Sequence, residues 1–121
     1  MKKIKLNSNK LEKMVKNTKI NGGYSDKILT QKRYIVSMEL DQEVIIPLEK
    51  FNQKSLKNAI KDFVLKPLQG VGTWLDDGKI YIDINQGFND LEEALSIARK
   101  NNQLAIFDTV QEVAIPTGVV R

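Results

Sequence analysis

Asp77-Gly78 constrains this chain more than any other pair of residues. A two-residue type I′ turn needs positive φ at both central positions, and Asp-Gly between alternating apolar and polar residues supplies it. The turn sets the register on either side. Leu75 faces Ile80, Thr73 faces Ile82 and Val71 faces Ile84 on one side of the hairpin, while Trp74 faces Tyr81 and Gly72 faces Asp83 on the other. The first set is largely apolar and is the core face.

The chain then reads as a helix. Asp90 stands at an N-cap, Glu93 at the capping-box position and Phe88 beside the helix start. Leu91, Ala94, Leu95 and Ala98 form one stripe, and Arg99 and Lys100 complement the negative end of the helix dipole. Asn101-Asn102 closes the helix. Gln103 to Asp108 reads as a strand, and Glu112 to Ile115 as a last short one before Pro116.

The upstream half echoes this pattern. Leu11, Met14 and Val15 recur at helical spacing, predicting a short amphipathic helix over Asn9 to Thr18 that Asn21-Gly22-Gly23 ends. Tyr24 to Lys32 has no period and reads as a loop. Tyr34, Val36, Met38 and Leu40 alternate, as do Val44, Ile46 and Leu48, so a hairpin through Asp41-Gln42-Glu43 would set Leu40 opposite Val44 and Met38 opposite Ile46. A helix over Gln53 to Lys66 follows, with Leu56, Ala59, Ile60, Phe63 and Val64 on its inner stripe and Pro67 as its stop. The expected fold class is therefore α+β: a mostly antiparallel sheet from two hairpin-helix units plus C-terminal strands, helices on one face, and a short N-terminal helix.

A chain of 121 residues, 41% hydrophobic and 28% charged, suits one soluble domain over 1–121. It has no apolar run of the roughly 18 residues a membrane span needs and no signal-peptide pattern at its N-terminus. The expectation is a cytoplasmic protein with no membrane partner. Cysteine and histidine are both absent, which excludes thiolate nucleophiles, disulfides, histidine-based triads and metal sites with nitrogen or sulfur ligands. A non-enzyme without cofactors is expected.

Charge is graded along the chain. Residues 1–33, a basic arm with the short helix, hold ten Lys/Arg against Glu12 and Asp26; the α+β body of 34–121 ends acidic, with four Lys/Arg against eight Asp/Glu after residue 66. Lys10, Lys13 and Lys16 of the arm, with Lys54, Lys57 and Lys61 on the polar side of the second helix, form a candidate strip for nucleic-acid phosphates. The alternative is that the same lysines are solvated helix faces, as most such stripes are. Among the carboxylates, Asp76 and Asp77 serve the turn, Asp90 caps, and Glu92 and Glu93 suit a helix N-terminus. Asp83 has no such local role. Beside Trp74 and Tyr81 it completes an aromatic platform with an uncrowded carboxylate, a candidate anchor for a protein partner. Alternatively a second layer, such as the N-terminal helix, covers that face.

Gly72, Trp74, Gly78-Lys79, Tyr81, Asp83, Ala94-Leu95, Ala98, Asn102-Gln103, Ala105-Ile106 and Asp108, with Gly22-Gly23-Tyr24 and Tyr34-Ile35-Val36-Ser37 upstream, resemble a group of small, mostly uncharacterised accessory proteins of phages, plasmids and integrative elements. The resemblance implies a mobile element in a bacterial host, and a protein that binds and blocks a host defence enzyme, as anti-CRISPR inhibitors do. Its partner would then be a host protein or ribonucleoprotein complex. Inhibitors that imitate DNA are strongly acidic, and this chain, at net +4, departs from them.

Overall fold

In the computed structural model, which describes residues 2–4 and 6–120, the chain is α+β. Its centre is the hairpin of β6 (Gln69–Asp76) and β7 (Lys79–Phe88), turning through Asp77 at φ 49° and Gly78 at φ 74°. The register is the expected one, with Leu75↔Ile80, Thr73↔Ile82, Val71↔Ile84, Trp74↔Tyr81 and Gly72↔Asp83. Val71, Ile80, Ile82 and Ile84 are fully buried.

The other edge of β7 holds the main correction. β3 (Tyr34–Ser37) and β4 (Val44–Pro47) do not pair with each other; both are antiparallel to β7, end to end. Tyr34 pairs with Phe88 and Ser37 with Asn85, whereas Val44 pairs with Ile82 and Pro47 with Lys79. Between them a 3₁₀ turn at Leu40–Gln42 loops outward, and Leu40 is exposed instead of facing Val44. Alternation reports which face a side chain takes and not which strand lies alongside. A ten-residue β7 has enough backbone on one edge for two short partners.

Three helices lie over the apolar face. α1 (Ser8–Asn21) is longer than expected at both ends. Asn7 caps it, its side chain accepting from the Lys10 amide, and Gly22 in the left-handed region closes it. Leu11, Met14 and Thr18 are buried, so this segment is part of the core and not an appended arm. α3 (Gln53–Ile60) starts from a reciprocal Asn52/Ser55 capping box. It ends well before Pro67, because Val64–Leu65 turns out as β5 and pairs with β1 (Lys2–Lys3). α1 and α3 share a core with Phe51, Phe63 and the β7 isoleucines. α4 (Leu91–Lys100) covers the other end of the same face, where Ala94, Leu95 and Ala98 meet Tyr34, Val36, Phe88 and Ile106. The Asp90 side chain makes no capping bond, so the expected capping box is absent; its carbonyl accepts from Ala94 instead. β8 (Ala105–Asp108) pairs with β3, and β9 (Val113–Pro116) pairs with β8.

The segment read as a loop is ordered. It holds an edge strand, β2 (Gly23–Ser25), paired to β6, and a one-turn helix, α2 (Lys27–Thr30). Asp26 between them is a junction: its carboxylate accepts from the Val71 amide at 2.7 Å and the Tyr24 hydroxyl at 3.1 Å, and pairs with Lys10 at 3.2 Å. Burial and that carboxylate push the Tyr24 hydroxyl up to about 12.

Candidate functional site

The second face of the sheet is divided. At one end α2 covers it: Leu29 is fully buried, and a Cβ added at Gly70 would stand 3.1 Å from the Leu29 Cγ, one added at Gly87 2.7 Å from the Lys32 Cβ. The covering element is thus α2, not the N-terminal helix, which lies across the sheet against Thr73. The other end is open. There the pairings Gly23↔Trp74, Trp74↔Tyr81 and Tyr81↔Ile45 set four residues in one row across β2, β6, β7 and β4. Trp74 is 53% exposed and Ile45 50%, and the Trp74 and Tyr81 rings lie 6.3 Å apart at 44°. That tilted geometry suits aromatic rings, whose edges are positive and faces negative.

Asp83 occupies the next row. It sits where β7 leaves β3 and takes up β4, and it is not the uncrowded carboxylate that the hairpin alone implies. Ser37 donates to its Oδ2 at 2.9 Å. Continuing the β4 register sets Glu43 opposite it. Burial pushes the Asp83 carboxyl up to about 7; the Ser37 hydroxyl opposes this, the Glu43 charge reinforces it, and the Asn85 amide opposes it. The carboxyl therefore exchanges its proton near neutral pH. Gly72 is the floor beneath, and the Asn85 amide lies across it where any side chain would stand.

The remaining acids stay apart. Asp76 and Asp77 are exposed at the turn, and Asp90, Glu92 and Glu93 are exposed around the start of α4. Among the described residues, no three His, Cys, Asp or Glu side chains converge to hold a metal ion. The lysines also divide. Lys10 is engaged by Asp26, Lys13 and Lys16 are exposed on α1, Lys54 and Lys57 are exposed on α3, and Lys61 is exposed just past its end. Among the described residues no helix is long and apolar enough to cross a membrane.

Ile45, Glu43 and Ser37 escaped the reading from sequence because all three depend on which strand borders β7; Asn85, on β7 itself, was passed over. Asn85 alone carried a local signal: a polar residue in an apolar strand, on the same face as Asp83. Compared with known proteins, the chain matches no family model, no curated protein and no solved structure.

Proposed function

We propose that this chain is a non-enzymatic binding protein that docks a partner on the row of Trp74, Tyr81 and Ile45, with Asp83 and Glu43 along its margin. One observation carries the reading: a sheet face closed by α2 at one end leaves a tryptophan, a tyrosine and an isoleucine in one row at the other, with Trp74 and Ile45 half exposed. Aromatic anchors of this kind bury much area for little lost rotamer freedom. The resemblance to mobile-element accessory proteins makes a host defence complex the partner class, bound as protein or ribonucleoprotein and inhibited as anti-CRISPR proteins inhibit theirs.

The test is plasmid interference in bacterial strains carrying active CRISPR systems. Expression of the chain is expected to protect a targeted plasmid, and Trp74→Ala with Tyr81→Ala to lose that protection while far-UV circular dichroism stays unchanged. Absence of protection across the panel of systems overturns the anti-defence role. Full protection by the folded double variant overturns the docking row.

A further inference from the structure

The opposite border of the hairpin presents a different kind of surface. β2 ends the sheet, bordered only by β6 among the described residues. The Asp26 amide donates to the Val71 carbonyl and the Leu75 amide to the Gly22 carbonyl, so Gly22, Tyr24 and Asp26 direct their backbone groups inward. In an antiparallel ladder the alternate residues, Gly23 and Ser25, then direct N–H and C=O outward. A groove of about 320 Å³ runs along this edge. One wall is a single stripe of α1, Lys13, Asn17 and Asn21; the other is Lys27 and Thr30 of α2. The groove is polar, has a cation on each wall and no acidic lining residue.

We propose that this edge is a β-augmentation site for an extended, acidic segment of a protein. The added strand takes the outward N–H and C=O groups of Gly23 and Ser25, which supply affinity without regard to sequence. Successive side chains of a strand point to opposite faces. Two adjacent acidic residues therefore reach opposite walls, one toward Lys13 and the other toward Lys27. Charge decides among occupants: a second β2 would bring the same lysines together, and like charges across an interface are unfavourable. This site shares no side chain with the Trp74 row, so either can fail alone.

The probe is a fluorescein-labelled hexapeptide with two adjacent glutamates between valines and threonines, titrated into the full chain by anisotropy. Its lysine counterpart is the control. Binding of the glutamate peptide should exceed the control at least about tenfold and weaken with salt, and amide exchange should slow at Gly23 and Ser25. Ser25→Pro is the decisive variant. Proline is tolerated on an edge strand where its nitrogen faces outward, so the fold should survive while peptide binding falls at least about tenfold. Lys13→Glu with Lys27→Glu should lower it similarly with the backbone intact. Unchanged binding by folded Ser25→Pro, equal binding of the lysine peptide, or no binding at millimolar peptide each overturns the proposal. So would self-association through β2, or RNA binding through Lys13 and Lys27 with no response to the acidic peptide.

Discussion

Asp83 and Glu43 oppose one another at the point where β7 exchanges β3 for β4, so two carboxyl groups share one short stretch of sheet. Burial of Asp83, reinforced by the Glu43 charge, ties the open face to pH. In the folded protein Asp83 keeps its proton up to about pH 7, whereas in the unfolded chain it ionises near pH 4. Between those values the folded state holds the extra proton, so stability falls as pH rises through this window and levels off above it. Asp83→Asn removes the titration. Its melting temperature should exceed that of the unaltered chain above pH 7, with the gain shrinking to nothing near pH 4; a difference independent of pH would contradict the coupling.

Asp108 works in the opposite sense. It is buried, and it accepts from Arg33 Nη2 at 3.1 Å and from the Val110 amide at 2.9 Å. The Arg33 hydrogen bond, partly offset by burial, holds its carboxyl below the usual range. That contribution is complete above the unfolded value near pH 4 and is lost as pH falls through the lower folded one. Asp108→Asn should therefore lower the melting temperature at neutral pH, with the deficit narrowing in stronger acid. Thermal scans across pH 2 to 7 read this directly.

Gly72 is required by its neighbour on the adjacent strand. A methyl group there overlaps the buried Asn85 amide, and overpacking of this kind costs about 1–3 kcal/mol. Gly72→Ala should lower the urea midpoint accordingly. Adding Asn85→Ala to Gly72→Ala should recover part of the loss, because residues in contact do not contribute additively. Strictly additive losses would show that the amide yields elsewhere.

The α+β class and the whole β6–β7 register were legible because Asp77-Gly78 is a local signal: both strands and their turn lie within twenty residues. Leu11 and Met14 of α1 and Leu56 and Ile60 of α3 were legible for the same reason, since helical bonds are short range, whereas Phe63 and Val64 fall beyond the end of α3. Sequence reading failed where pairing is distant. Val36 and Ile46 were assigned the correct face, but their neighbours are Gln86 and Ile80, 50 and 34 residues away, instead of each other's strand. Val64–Leu65 looked like the last turn of a helix until its partner, Lys2–Lys3, was in place. Trp74, Tyr81 and Asp83 were recognised as one face; Ile45 and Glu43, which complete it, follow only from the borrowed edge of β7.

That edge also governs how the molecule can assemble itself. Of the pairings that touch β6 or β7, only their mutual hairpin joins segments adjacent in the chain; β2, β3 and β4 each dock from a long way off. Loop-closure entropy must be met before such distant contacts are rewarded. The hairpin is therefore the template on which three other strands measure their register, and it should form early. A one-residue slip at Asp77-Gly78 would turn β6, and β2 with it, to the wrong face relative to β7 and its partners β3 and β4, so a two-residue turn sets the agreement between the two halves of the sheet.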